Sequence, residues 1–150
     1  MSDRRETEII GNYMNNFRFN TIIPVRITDI NYGNHLSHMS TVGFFHQARV
    51  LFLKEYGFDE LNIENLGVIL LSANYSYKKE VYFNARLEIL VGIKEFSKIR
   101  FKFTYKSLDY DTKEDVSFGE EELAFYDYKN KKIAKIPRTF VDFCEKNLVS

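Results

Sequence analysis

Three side chains suited to proton transfer and carbonyl binding lie close together near the start of the chain. Asp29, Asn31 and His35 follow a segment of extended character and immediately precede a long hydrophobic stretch. An imidazole exchanges protons near neutral pH, and an amide orients a substrate by hydrogen bonds. If the hydrophobic stretch is a helix, its first N–H groups lack acceptors within the helix and carry partial positive charge. The pattern therefore predicts chemistry on a carbonyl group at a helix N-terminus.

The same residues also have a purely structural interpretation. Asn31, Gly33 and Asn34 are typical of a tight turn, because Asn and Gly tolerate positive φ. In that case Asp29 only accepts hydrogen bonds from turn amides, and His35 is a polar residue at the mouth of a helix. The residues alone leave both interpretations open.

The histidines of the chain also raise the question of a metal. His35, His38 and His46 all lie in the same part of the sequence, but their spacing is not the i, i+4 pair of a zinc-binding helix. No cysteine lies near them. We therefore predict no metal site.

Composition limits the class of protein. The 150 residues are 45% hydrophobic, with 14 Phe and 10 Tyr, which is enough for a core in a single domain. With 21 basic and 21 acidic residues the formal charge is zero, so neither nucleic acid nor an anionic membrane is an expected partner. Cys144 is the one cysteine, which fits a reducing compartment, and no apolar run is long enough to span a membrane. We expect a cytoplasmic protein.

The pattern of elements starts with one strand and one long helix. Residues 1–15 are a polar lead that we expect to be flexible, and residues 16–150 form the single domain. Alternating side chains predict a strand over 17–29, in which Pro24 belongs at an edge or a bulge. Residues 39–56 are apolar around most of a helical circumference, which is typical of a helix that other structure surrounds. Ser37 or Ser40 is the expected N-cap, and Gly57 is the expected end.

The second half of the chain alternates as strands do. Segments 67–77, 85–96, 98–108 and 116–128 have period-two patterns, a short extended segment covers 133–136, and a terminal helix begins at Pro137. Runs of strands kept apart from helices favour an α+β architecture. We predict an antiparallel sheet wrapped around one long central helix.

These motifs, in this order, resemble the hotdog-fold acyl-CoA thioesterases of the 4-hydroxybenzoyl-CoA thioesterase type. Members have an extended segment that ends near an Asp-x-Asp pair, a turn of the kind Gly-His-Val-Asn-Asn, and a helix containing Glu-Ala-Arg. The matching residues here are Asp29-Ile30-Asn31, Asn34-His35-Leu36-Ser37-His38 and Gln47-Ala48-Arg49. The resemblance covers nearly the whole chain and implies the hotdog fold.

Two positions depart from the family pattern. In many members the second Asp of the pair is the catalytic carboxylate, and this chain has Asn31 there. A related layout takes a carboxylate from the helix, where this chain has Gln47. An amide keeps the hydrogen-bonding shape but can act neither as a base nor as a nucleophile.

The resemblance implies a thioester hydrolase with an atypical site, for which three mechanisms are open. In the first, His35 is the general base, Asn31 orients water or the carbonyl, and helix amides stabilise the oxyanion. In the second, Asp29 is the working carboxylate. In the third, the protein binds acyl-CoA or an acyl carrier without efficient hydrolysis. A hotdog hydratase or dehydratase is a further alternative, since Asp29-x-Asn31 and His35 distantly match that pattern. The residues expected to contact the substrate are Gly33, Asn34, Ser37, His38 and Gln47.

The resemblance also implies partners. Pairing of two sheet edges predicts a homodimer, with a tetramer as the alternative, and places the site at a subunit interface. Coenzyme A enters only as part of the substrate, so no separate cofactor is expected. The candidate cations for its phosphates are Lys78, Lys79, Arg86 and Arg100, and the candidate walls for the acyl group are Phe44, Phe45, Ala73, Tyr75 and Tyr77.

Overall fold

The structure is a computed structural model that describes residues 16–149. It confirms the α+β architecture, because one antiparallel sheet packs around one long helix. The strands are β1 (Phe19–Pro24), β2 (Gly67–Tyr77), β3 (Arg86–Phe96), β4 (Arg100–Asp109), β5 (Asp115–Asp127) and β6 (Lys132–Ala134). The helices are α1 (His38–Glu55) and α2 (Arg138–Lys146), and a 3-10 turn covers Ile27–Asp29.

The strand order is β1-β3-β4-β5-β2, and every pairing is antiparallel. The short β6 pairs with the end of β5. This order leaves β1 and β2 at the two edges of the sheet, with α1 packed against β1 and β3. The predicted hotdog arrangement is therefore present in the described residues.

Helix α1 is held at both ends by the expected residues. The Ser37 hydroxyl accepts a hydrogen bond from the Met39 N–H at 3.1 Å, so Ser37 is the N-cap. Gly57, with φ +79°, follows the end of the helix. Among residues 16–149, the prediction that other structure surrounds α1 is wrong. One face is buried against the sheet, while Met39 and Val50 on the opposite face are exposed.

The first strand is shorter than the pattern of residues 17–29 predicts. It ends at Pro24, which has no N–H to donate to a sheet. The Arg26 N–H then donates to the Asp29 carboxylate at 2.9 Å, and this bond closes the 3-10 turn. Asp29 therefore lies in a turn ahead of α1 and not in the sheet.

The C-terminal helix closes the core. Phe140, Phe143 and Cys144 of α2 are buried, and the two rings pack at an angle against aromatic residues of the sheet and of α1. Burial, with a smaller effect of the Glu145 charge, raises the pKa of the Cys144 thiol to about 12. This thiol is therefore a packing group. Within residues 16–149, neither helix has the length and apolarity that crossing a bilayer requires.

Candidate active site

The turn between β1 and α1 is held by backbone hydrogen bonds that fix Asn31 and His35 relative to each other. The Asn31 N–H donates to the His35 carbonyl at 2.9 Å, and the His35 N–H donates to the Asn31 side-chain oxygen at 3.3 Å. Asn34, with φ +68°, occupies the left-handed position that Asn tolerates. Asn31 and Asn34 therefore do shape a tight turn, as the structural interpretation predicts.

The side chains of Asn31 and His35 nevertheless come together beside Gly33. A methyl group placed on Gly33 would lie 3.2 Å from the His35 Nε2 atom and 3.3 Å from the Asn31 side-chain oxygen. The His35 Nδ1 atom lies 3.2 Å from the Leu36 carbonyl, which favours the proton on Nδ1. In that tautomer Nε2 carries the lone pair that can accept a proton. Gly33 leaves space beside this atom.

Asn31 and His35 open into a cavity at the start of α1, which we call the His35 cavity. Its volume is about 220 Å³. Leu36, Val81 and Val116 form apolar walls, all of them buried. The remaining lining residues are His38, Thr41, Tyr77, Lys78, Lys79 and Glu80.

The first turn of α1 borders this cavity through His38 and Thr41. The Met39 N–H is taken by the Ser37 hydroxyl, and the Thr41 N–H donates to the Ser37 carbonyl at 3.0 Å. Within residues 16–149 the His38 N–H has no hydrogen-bond acceptor. The His38 amide is therefore the first-turn donor at this cavity that is left for a ligand oxygen.

Asp29 and Gln47 lie elsewhere. Both line a second space, the Asp29 cavity, of about 650 Å³ between β1 and α1. Asp29 is buried, and Arg26 binds both of its carboxylate oxygens, at 3.2 and 3.3 Å. Burial alone would raise the pKa of the Asp29 carboxyl, but the hydrogen bonds from Arg26, with a smaller one from Ser40, outweigh burial and lower it. This carboxylate is occupied in holding the turn.

The structure thus divides the predicted site residues into two groups. Asn31, His35 and His38 share the His35 cavity, with Gly33 beside it, whereas Asp29 and Gln47 share the other. Asn34 and Ser37 shape the turn and the helix start that carry the first group. Of the candidate acyl walls, Tyr77 alone lines the His35 cavity.

A buried ionic network lies beside the site, between α1 and the sheet. Arg49 donates to Glu60 and to Glu121, each at 2.6 Å. The hydroxyls of Tyr75 and Tyr105 donate to the two oxygens of Glu121. Burial raises the pKa of both phenols, and Glu121 raises it further, through its hydrogen bond to Tyr75 and through its charge beside Tyr105, so both stay protonated as donors. Alternation along β5 could have predicted that Glu121 faces inward, since it shares the parity of Leu123 and Phe125.

Among the described residues, no cluster of His, Cys, Asp or Glu could hold a metal ion.

The structure adds one carboxylate to the site that the motifs did not indicate. Glu80, just after β2, lies with its Oε1 atom 3.7 Å from the His35 Nε2 atom. Only the pairing of its segment with the turn reveals this contact, so no local sequence signal could have found it.

Comparison with known proteins agrees with the fold. The family described as "Thioesterase-like superfamily" matches residues 25–144. A protein from Aquifex aeolicus (strain VF5) is 29% identical over 107 residues, which are 70% of this chain and 80% of that protein.

Two solved structures are similar over most of the chain. A 1,4-dihydroxy-2-naphthoyl-CoA thioesterase from Synechocystis has a TM-score of 0.78 and 16% identity, covering 84% of this chain and 94% of its own. A DHNA-CoA thioesterase from Staphylococcus aureus has a TM-score of 0.74 and 20% identity, covering 85% and 86%. At these identities the structural likeness shows the fold, which is that of hotdog thioesterases. The match over residues 25–144 shows that this chain belongs to the thioesterase-like superfamily.

Proposed function

We propose that this protein hydrolyses an acyl-CoA thioester in the His35 cavity. The observation that carries the proposal is the convergence of Asn31, His35 and His38 on one cavity, with His35 Nε2 and the Asn31 side-chain oxygen together beside Gly33. Membership of the thioesterase-like superfamily supports the reaction class. His35 takes the role of base because Asn31 cannot accept a proton and Asp29 is held by Arg26.

The reaction needs one proton acceptor and one oxyanion site. Nε2 of His35 removes a proton from water as the water oxygen attacks the thioester carbon. The His38 amide and the dipole of α1 stabilise the negative charge that develops on the carbonyl oxygen, while the Asn31 amide orients the carbonyl or the water. The tetrahedral intermediate collapses with loss of the thiolate, which receives the proton back from His35.

The cavity size bears on the substrate. At about 220 Å³ the His35 cavity is smaller than the roughly 300–1,000 Å³ typical of sites that enclose a whole ligand. We propose that it holds the thioester and a compact acyl group, with most of the coenzyme outside. Both similar structures named above are thioesterases of an aromatic acyl-CoA, so aromatic substrates are the first to test.

The four candidate cations differ in whether an acidic side chain already pairs with them. Lys79 pairs with Glu114, Arg86 with Asp111 and Arg100 with Glu122, so those charges are already matched. Lys78 lines the His35 cavity and has no ion-pair partner within residues 16–149. We therefore assign the phosphate contact to Lys78.

We propose a homodimer that forms through β2. This strand is 11 residues long, pairs only with β5 among the described strands, and exposes Leu70 and Leu71. An exposed apolar edge of this length favours pairing with a second sheet. Light scattering should give twice the monomer mass, and Leu71→Lys should shift the protein toward monomer. A monomeric wild type would contradict the dimer.

The test of hydrolysis is thiol release from a panel of aromatic, short, medium and long acyl-CoAs. His35→Gln should lower kcat by about 100-fold or more, because the general base is lost. The matched control is His46→Gln, since His46 is exposed on α1 outside both cavities. No release from any substrate, with CoA binding intact, would favour the binding-only alternative. Unchanged release by His35→Gln would refute the role of His35.

A further inference from the structure

A carboxylate stands beside His35 although both carboxylate positions of the family motifs are amides in this chain. Glu80 Oε1 lies 3.7 Å from His35 Nε2. This separation is too long for a direct hydrogen bond but close enough for the carboxylate to attract a positive charge on His35. We infer that Glu80 is the positioning residue for His35 in thioester hydrolysis, an inference that rests on the proposed function.

The backbone fixes this contact from both sides. The Leu36 N–H donates to the Val81 carbonyl at 2.7 Å, so the residues after His35 and after Glu80 are bonded to each other. The Lys79 N–H donates to the Val116 carbonyl of β5 at 3.2 Å. Glu80 is therefore held between the turn that carries His35 and the sheet.

The Glu80 side chain is also oriented. The Tyr82 hydroxyl donates to Glu80 Oε2 at 3.2 Å, which leaves Oε1 facing His35. On the other side of the ring, Nδ1 contacts the Leu36 carbonyl. The resulting chain of contacts runs from Tyr82 through Glu80 and His35 to the backbone, and each member has a partner that fixes its direction.

This arrangement gives Glu80 a definite part in the reaction. When Nε2 takes the proton of the attacking water, His35 becomes a cation, and the Glu80 carboxylate lowers the free energy of that charged state. The proton then passes from Nε2 to the leaving sulfur, which returns His35 to its neutral form, while Glu80 stays ionised throughout. Since 63% of the Glu80 side chain is exposed, solvent screens the pair and the effect on rate is modest.

Few other charged groups lie near this pair. The other ionisable side chains around the cavity come from α1, from β2 and from the segment after β2. They are His38, Tyr77, Lys78 and Lys79, of which Lys79 is paired with Glu114. Among the residues that line the cavity, Glu80 is therefore the carboxylate that can offset a positive charge on His35.

The experiment compares Glu80→Gln with Glu80→Asp. The control is Glu145→Gln, which removes the same charge from α2, outside the His35 cavity. Glu80→Gln should lower kcat about 5-fold with KM unchanged. Glu80→Asp keeps the charge and should recover part of the rate. In a His35→Gln background, Glu80→Gln should have less than about a 2-fold effect, because the two residues act as a unit.

A second readout does not depend on turnover. The ring signals of the histidines can be followed by NMR, and Glu80→Gln should shift the His35 ring signals while those of His46 stay unmoved. Unchanged His35 ring signals and equal rates would overturn the inference while leaving hydrolysis by His35 intact. If the wild type releases no thiol, the proposed function fails, and the NMR comparison alone decides whether Glu80 contacts His35.

Discussion

Replacing Arg49 by Met should strongly destabilise the protein without touching the His35 cavity. Arg49 is 7% exposed and Glu121 is 2% exposed, and the guanidinium bonds both Glu121 and Glu60 at 2.6 Å. The substitution leaves the buried Glu121 with neutral phenol donors only. Breaking a buried ion pair by removing one partner costs about 3–5 kcal/mol. At roughly 2–4 °C per kcal/mol for a domain of this size, Tm should fall by about 6–20 °C.

Thermal and urea unfolding measure this change, and two further variants make it specific. Adding Glu121→Gln to Arg49→Met removes the unpaired charge while keeping an acceptor for the tyrosines, so the double variant should be more stable than the single one. Arg138→Met removes a solvent-exposed pair with Asp142 and should cost no more than about 1 kcal/mol. The reasoning is refuted if Arg49→Met unfolds within about 1 kcal/mol of the wild type, or if the double variant recovers nothing.

Three smaller changes test the backbone and the turn. Gly43→Ala should raise the free energy of unfolding by about 0.5–1 kcal/mol in urea titrations, because a methyl group at this position of α1 meets no atom within 4 Å. Gly119→Ala should instead lower it by about 1–3 kcal/mol, because the new methyl would lie 2.9 Å from the Phe45 ring. For Asp29, the carboxyl pKa in the fold lies below its ordinary value of 3.8, so its stabilising effect is present above that pH and lost as pH falls further. The free energy of unfolding of Asp29→Asn should thus be lower than that of the wild type at neutral pH, and the two values should converge in acid.

Most of the fold could be predicted from the sequence, because its signals are local and repeated. Alternating side chains mark the later strands, and Ser37 and Gly57 mark the ends of α1. The end of the first strand could not be predicted from alternation. It depends on Pro24 and on the bond between Arg26 and Asp29, which continue the alternating pattern while the backbone turns away from the sheet.

The site was predictable only where one segment carries it. The turn itself places Asn31, Gly33 and His35 together, so their spacing was informative. The separation of Gln47 from His35 depends on the rotation of α1 against β1, and the approach of Glu80 depends on pairing between distant segments. The spacing of residues along the sequence predicts neither the separation of Gln47 from His35 nor the approach of Glu80 to His35. A sequence motif therefore suggested Gln47 and missed Glu80.

The most direct test of the central claim is a single turnover of an aromatic acyl-CoA in water labelled with ¹⁸O, with the protein in molar excess. Attack by water that His35 has deprotonated predicts that the product acid carries one ¹⁸O atom and that the protein carries none. Label found in a carboxylate of the protein would contradict the account, because it would mean that a carboxylate and not water attacks the thioester. Absence of any product acid would contradict hydrolysis itself.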